Sequence, residues 1–571
     1  MSGESAMTTL LETSYDRGAT DQPLIEQTIG DFFDAMTARV PENEALVSCH
    51  QQLRYTYRDL QRESNRLASA LLESGIKPGD RVGIWSHNNA QWLITQLATA
   101  KAGIVLVNIN PAYRTAELEY ALNKVGCKAL ITMTAFKTSN YLDMLRAVAP
   151  EVDGAKPGAL KAARLPELKL VVQLSDEDVP GMLRFADLMQ RGSADDPRLP
   201  QIAATLKATD PINIQFTSGT TGFPKGATLT HRNVLNNGYF IGEAMRLAPQ
   251  DRLCIPVPLY HCFGMVLGNL ACLTHGATIV YPNDAFEPLS VLQAVQQERC
   301  TGLHGVPTMF IAELDHPRFK EFDLSTLRTG IMAGSPCPIE VMKRVVSDMH
   351  MSEVTIAYGM TETSPVSCQS TTDTPLERRV STVGKVQPHL EVKIADPDTG
   401  APMPPGATGE LCTRGYSVMH GYWGDPEKTA EAIDADSWMH TGDLATMDAE
   451  GYVNIVGRIK DMVIRGGENI YPREIEEFLY RHPAVQDVQV VGVPDKKYGE
   501  ELCAWIVVRP GMQTDEDAIR AFCQGQIAHY KIPKYIRFVD AFPMTVTGKV
   551  QKFRIREQMK QDLHLEEDKT A

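Results

Sequence analysis

Between Thr217 and Gly226 the chain reads TSGTTGFPKG, ten residues holding three glycines, four hydroxyl side chains and one lysine. Gly219 and Gly222 permit positive φ, so successive backbone N–H groups can turn inward as a nest for an anion. The hydroxyls add donors and Lys225 adds charge, and phosphate is the ligand that such a loop suits. Ile212, Ile214 and Phe216 alternate as a strand entering the loop, and GATLT resumes the alternation after it. It is not a Walker A loop, because Lys225 stands between Pro224 and Gly226 and no helix opens behind it. On these ten residues alone, a flexible hairpin connection explains the composition equally well.

Other polar stretches recur along the chain: AGSPCP with Gly334 and Ser335, YGMTET (Tyr358 to Thr363), TGD (Thr441 to Asp443), GRIKD (Gly457 to Asp461), RGGEN with Gly466 and Gly467, and TVTGKVQK (Thr545 to Lys552). Singly, each lysine or aspartate belongs by default to a solvated face, Gly334–Ser335 to a plain turn and Gly466–Gly467 to a β-bulge. His261 beside Cys262 invites a nucleophile pair, but sequence neighbours need not face each other and no cysteine-hydrolase signature surrounds them. Packing is the expectation there.

The elements that must position these residues alternate between helix and strand. Thr28 with Asp31, and Thr56 with Asp59, read as capping boxes before apolar-periodic runs. RVGIW and GIVLVN read as strands, with helices around Trp92 to Ala102 and around Leu118, the rhythm of a layered α/β domain. From Asp396 to Gly415 the text changes to Pro/Gly turns between short strands, and after GRIKD a compact βα alternation runs on. The expected organisation is a large N-terminal domain over 1–456, of layered α/β subdomains plus a β-rich subdomain, a joint at 457–460, and a small mobile α+β domain over 461–571.

With 571 residues, 43% hydrophobic and 22% charged, the composition is that of a soluble globular protein with sizeable cores. A net charge of −15 argues against nucleic acid or anionic membrane as a partner. The eleven cysteines contain no C-x-x-C pair, so neither a disulfide framework nor a zinc site is suggested. No apolar run is long enough to span a bilayer and the first residues lack a leader pattern, so a cytoplasmic location is expected. The oligomeric state is left open, with a homo-oligomer allowed.

In order and rough spacing, TSGTTGFPKG, YGMTET, TGD, GRIKD and TVTGKVQK resemble the AMP-forming acyl-CoA synthetases, a superfamily that includes the adenylation domains of peptide synthetases and the beetle luciferases. The resemblance runs from about Tyr15 to Met559. NPAYRTAELEYALNKVGCKAL, GELCTRGYSVMHGYWGDPEKT and RGGENIYPREIE are similar to the medium-chain fatty acyl-CoA ligases. The resemblance implies ATP, Mg²⁺ and coenzyme A, and a fatty acid that attacks the α-phosphate to give an acyl-adenylate before the CoA thiol displaces AMP.

Residue roles are carried over with it. Thr217, Ser218, Gly219, Thr220, Thr221, Gly222 and Lys225 would hold phosphates, and Glu362 with Thr217 would bind Mg²⁺. Tyr358 would stack on adenine, flanked by Gly359 and Thr361, with Gly334 and Ser335 at the adenine and acyl junction. Asp443 and Arg458 would take the ribose hydroxyls. Lys549 would bridge carboxylate and α-phosphate, which makes it and Glu362 the catalytic pair. Lys460 would be the hinge, Gly466 and Gly467 the passage for CoA, and His261, Gly264 and Gly268 part of the acyl wall. Relatives commonly carry Phe-His where this chain has Tyr260-His261, and no acidic residue follows through Leu273, as an amino-acid-activating domain would require. A long-chain or aryl-CoA ligase and a luciferase-like oxygenase stay open within the family, and a non-catalytic acyl or nucleotide binder outside it.

Overall fold

A computed structural model describes residues 10–217, 224–466, 468–495 and 497–565. The calls on Ser218, Gly219, Thr220, Thr221, Gly222 and Gly467 lie outside the described residues.

Two sheets built around parallel strands form the large part of the molecule. In the first, the strands Leu183–Arg184, Leu170–Gln173, Ala129–Thr132, Arg81–Trp85, Val105–Asn108 and Pro211–Thr217 lie side by side and parallel. Lys225–Thr230 then returns antiparallel with Thr217 opposite Lys225, and Gly421–Tyr422 adds a last antiparallel strand. The second sheet runs parallel through Glu353–Gly359, Thr329–Ala333, Gly302–Leu303, Arg252–Cys254, Thr278–Tyr281 and Glu44–Ser48, with antiparallel strands at both edges.

Helices fill the space between and around these sheets because their sequences have apolar sides to bury. Tyr57–Glu73 begins on the reciprocal Thr56–Asp59 capping box, and Ala90–Lys101 is buried along every turn but Gln91. One apolar core joins Trp92, Leu97 and Ile84 to Leu267, Ile279 and Ile331, and so cements both sheets. Each fully buried aliphatic side chain contributes about 1.5–3 kcal/mol.

A third, antiparallel sheet follows, ordered Tyr15–Arg17, Leu390–Ala395, Gly409–Gly415, Met439–Met447 and Val453–Arg458, and it is the β-rich part that the Pro/Gly turns announce. The next strand, Val463–Arg465, already belongs to a separate five-stranded sheet with its own core around Val488, Ile506 and Ile475. The chain thus changes sheets across the short 3-10 turn Ile459–Asp461. The fold is α/β, with layered subdomains, a β-rich subdomain and a small α+β C-terminal unit. Ten of the eleven cysteines are buried and all are free thiols, as small hydrophobes would be.

The two parts touch through few polar contacts. Thr308 donates to the Gly548 carbonyl at 3.1 Å, the Ile339 N–H donates to Glu477 at 3.3 Å, and Gln486 donates to Asp315 at 2.9 Å. The carboxyl end of the strand Thr329–Ala333 lies at this junction, with Gly334 beside Lys549; ligands of open α/β sheets bind at such strand ends.

Candidate active site

Glu362 sits in the 3-10 turn Thr361–Thr363 that immediately follows the strand Glu353–Gly359, and only 5% of it is exposed. One of its oxygens, Oε1, accepts from the Thr217 hydroxyl at 3.2 Å and from the Tyr422 phenol at 2.8 Å. The turn itself is tied down by the Met419 N–H, which donates to the Glu362 carbonyl at 2.8 Å. Gly359 and Thr361 lie beside it in the same segment. Sequence positions 217, 362 and 422 thereby meet at one carboxylate, whose all-oxygen surroundings suit a hard cation.

On the other side of the strand end, Tyr358 donates to Asp443 Oδ2 at 2.6 Å, and Arg458 Nε donates to Asp443 Oδ1 at 3.2 Å. Asp443 and Arg458 are direct cross-strand partners, which is why TGD and GRIKD, fifteen residues apart, share a site. Burial raises the Asp443 pKa, opposed by Arg458, Tyr358 and Lys549. Because the Arg458 side chain is 70% exposed, solvent screening limits this pair to about 1 kcal/mol or less.

Lys549 enters from the small domain on a tight turn. Its backbone N–H donates to the Thr545 hydroxyl at 3.0 Å, its carbonyl accepts from the Thr545 N–H at 2.8 Å, and Gly548 holds a left-handed φ of 78°. A Cβ on Gly548 would stand 3.0 Å from Val306, so glycine is required here for both conformation and space. The lysine chain then passes Gly334, where an added Cβ would lie 3.5 Å from Lys549 Cε. Burial and the neighbouring Arg458 cation pull the Lys549 pKa down to about 8, while Asp443, Cys262 and Glu362 hold it up. Ser335 follows Gly334 at the end of the strand Thr329–Ala333.

The Cys262 thiol is no nucleophile. It donates to Gln215 at 3.1 Å, and burial pushes its pKa up to about 12. His261 does not face it as a base: its Nδ1 accepts from the Phe263 N–H at 3.1 Å, and burial next to Lys549 lowers its pKa to about 3.

The acyl wall differs from expectation. Phe263–Leu270 is a π-helix, and the face that Gly264 and Gly268 share is not empty. A Cβ on Gly264 would meet the Pro258 carbonyl at 2.6 Å, and one on Gly268 would meet Ile255 at 2.8 Å. Both glycines bring the helix close to the 255–259 segment, and the protein itself fills the gap assigned to the ligand. Gln96 donates to the Met265 carbonyl at 3.4 Å and His304 to the Leu267 carbonyl at 2.9 Å, which satisfies backbone groups inside the widened helix.

Gly466 closes a hairpin between Val463–Arg465 and Glu468–Ile470 with φ at 60° and its N–H on the Tyr498 carbonyl at 2.8 Å. A turn, and not a bulge, accounts for that glycine. Lys460 is exposed in the connecting 3-10 turn.

Tyr422 is the site residue that the sequence reading missed. Its strand pairs with Lys225–Thr230, and Lys225 Nζ lies 4.3 Å from the centre of its ring. The only signal for it was its place in the GYW of the stretch that resembles the medium-chain ligases.

Family models match two parts of this chain. The AMP-binding enzyme model covers residues 33–423 and the AMP-binding enzyme C-terminal domain covers 474–549. The chain belongs to the AMP-binding enzyme family. It is 49% identical over 558 residues to the bovine medium-chain acyl-CoA ligase ACSF2, mitochondrial, covering 97% of this chain and 91% of that protein. Among solved structures it is similar to the anthranilate CoA ligase AuaEII in complex with anthranoyl-AMP, with a TM-score of 0.85 at 26% identity over 96% of this chain and 99% of that one. ATP-bound MatB from Rhodopseudomonas palustris gives a TM-score of 0.80 at 29% identity over 94% and 99%. No described helix is long and apolar enough to cross a membrane.

Proposed function

We propose that the protein is an ATP-dependent acid–thiol ligase that joins a medium-chain fatty acid to coenzyme A, releasing AMP and pyrophosphate. The observation that carries this reading is the side chain of Lys549 passing Gly334 of the large domain, where an added Cβ would lie 3.5 Å from Lys549 Cε, within electrostatic reach of Asp443, Arg458 and Glu362. A carboxylate oxygen of the acid forms a bond to the α-phosphorus while the bond to pyrophosphate breaks. The CoA sulfur then bonds to the acyl carbon while the bond to AMP breaks. The first step brings two anions together, so the residues needed are cations and donors more than a base. One opposite-charge contact at 4 Å gives ~4 kcal/mol at an effective dielectric of 20, before desolvation is subtracted.

Lys549 would lie between carboxylate and α-phosphate, Asp443 and Arg458 would take the ribose, and Tyr358, whose hydroxyl donates to Asp443, would present its ring to adenine. Thr217 and Lys225, with the loop between them, would bind the outer phosphates. Thr217 and Glu362 have the donor chemistry for Mg²⁺, which would neutralise phosphate charge when bound. The domains are read as 1–456, 457–460 as hinge, and 461–571, with Lys460 the torsional joint. Gly466 and Gly467 stay assigned to the CoA path on the resemblance alone. The medium-chain preference rests on the relatives that share about half of their residues with this chain, whereas the aryl-acid ligase shares 26%.

Pyrophosphate release with octanoate, benzoate or no acid tests the reading. Release dependent on octanoate, followed by octanoyl-CoA when CoA is added, is expected. Release with benzoate alone would favour an aryl ligase, and none with any acid would favour a non-catalytic binder.

A further inference from the structure

Behind the turn that carries Asp443, two strands bring a thiol, an imidazole and a carboxylate together. Glu410 and Cys412 stand two residues apart on Gly409–Gly415, and Cys412 is paired directly opposite His440 on Met439–Met447. His440 Nδ1 lies 2.8 Å from Glu410 Oε2 and 3.6 Å from Cys412 Sγ. All three atoms fall within 4.8 Å of one another, and no other group of His, Cys, Asp or Glu does so among the described residues. Around a tetrahedral ion with bonds of about 2.0 Å to nitrogen and 2.3 Å to sulfur, those two ligands stand roughly 3.5 Å apart. The observed separation of 3.6 Å already meets that requirement.

The supporting contacts have the form that metal ligands need. The second carboxylate oxygen, Glu410 Oε1, accepts from the Gly442 N–H at 3.0 Å, which leaves Oε2 to turn toward an ion. On the far side of the imidazole, Asp434 stands 3.5 Å from Nε2 and is placed to receive its proton once Nδ1 is a ligand. Cys412 is fully buried, while the His440 and Asp434 side chains are 34% and 35% exposed, so the approach is from the histidine side. Sulfur in the set disfavours Mg²⁺ and Ca²⁺ and favours a borderline ion.

We infer that Glu410, Cys412 and His440 form a three-residue site for a divalent transition ion of the zinc class, with a fourth position open to solvent. It is separate from the Mg²⁺ donors Thr217 and Glu362, and it stands on the Asp443 turn through Gly442. The competing account is that His440 only bridges two carboxylates by hydrogen bonds.

Chelator-treated full-length protein titrated with Co²⁺ distinguishes the two. A thiolate-to-cobalt charge-transfer band saturating near one equivalent, and bleached by added Zn²⁺, is expected. Cys412→Ser abolishes the band, and His440→Asn weakens binding by tenfold or more. No band in the unaltered protein overturns the inference, as does a band undiminished in Cys412→Ser, since that would place the ion on another of the cysteines. Should Cys412→Ser fail to fold by circular dichroism, His440→Asn decides: the side chain is partly exposed, and unchanged Co²⁺ affinity overturns the site.

Discussion

Tyr422 donates its phenolic proton to Glu362 across 2.8 Å, and the face of the same ring lies under the Lys225 ammonium at 4.3 Å. One aromatic residue therefore sets the position of the carboxylate proposed for Mg²⁺ and of the lysine proposed for phosphate. It can do so because its own backbone is held: Tyr422 pairs with Ala227, and the next N–H, of Trp423, donates to the Gly226 carbonyl at 2.8 Å. The hairpin that flanks the glycine-rich loop and the strand that carries Tyr422 are hydrogen-bonded into one sheet edge.

Tyr422→Phe keeps the ring and removes the hydrogen bond. A bond to a charged acceptor is worth about 1.5–3 kcal/mol. Adenylation, followed as pyrophosphate exchange, should slow by roughly tenfold or more by that magnitude, with a higher Mg²⁺ concentration needed for half-maximal rate and an unaltered KM for the fatty acid. An unchanged Mg²⁺ dependence would remove Tyr422 from this role.

Tyr422 also shows where sequence reading stops. Thr217, Tyr358, Glu362, Asp443, Arg458 and Lys549 were legible because each stands in a polar, glycine-bearing stretch that differs from its apolar surroundings. Tyr422 and Glu362 are joined only because the eight-stranded sheet adds Gly421–Tyr422 to the edge of the loop hairpin, a topological fact with no local pattern. Glu410, Cys412 and His440 are hidden for the same reason. The π-helix escaped because apolar residues on every side of Phe263–Leu270 give no periodicity by which to tell a widened helix from an ordinary one. Alternation and capping, which are local, located strands such as Arg81–Trp85 and both N-caps, although only Thr56–Asp59 is a reciprocal capping box and Thr28 caps without the return bond from Asp31.

Lys549→Ala should lower adenylation by on the order of 10²- to 10³-fold, as loss of a preorganised charge does, while sparing thioester formation from supplied acyl-adenylate. With its pKa lowered to about 8, the amine loses its charge as pH rises through that value, so kcat/KM for adenylation should fall on the alkaline side near pH 8. His261, neutral above about 3, adds no acid limb in this range. Lys549→Arg should move the alkaline limb upward. Equal losses in both half-reactions for Lys549→Ala would sink the assignment.

Lys460 lies in the exposed turn where the chain leaves one sheet for the next. Lys460→Pro locks φ near −65° and should leave acyl-adenylate formation largely intact while slowing CoA transfer, measured in single-turnover half-reactions. Transfer at the normal rate would show that rotation at this residue is not required.

Glu313 is 1% exposed, and neither carboxylate oxygen has a hydrogen-bond partner among the described residues. Burial raises its pKa well above the ordinary 4.5, so the folded protein holds this proton to higher pH than the unfolded chain does. That proton-linked stabilisation is complete below the unfolded value and is lost as pH rises. Glu313→Met should therefore raise the apparent Tm at pH 8, by the equivalent of about 1–3 kcal/mol, and the gain should shrink toward pH 5. A gain independent of pH would mean that the carboxyl is not the source.

Chain-length selectivity tests the acid and the wall together. Each buried methylene contributes ~0.8 kcal/mol, about fourfold in equilibrium, so kcat/KM for saturated acids should climb with length through the medium range and fall once the channel ends. Gly268 does not mark that end, because Ile255 already occupies the space beside it. Gly268→Leu should overpack the Ile255 contact and destabilise the fold by roughly 1–3 kcal/mol, lowering Tm without moving the optimum. The measurement is kcat/KM for acids of increasing length, with benzoate as an aryl control, in both proteins. A rise continuing into the longest acids favours a long-chain enzyme, and a preference for benzoate favours an aryl one. An optimum displaced toward shorter acids in Gly268→Leu would return this face of the π-helix to the pocket and show that Ile255 gives way when substrate binds.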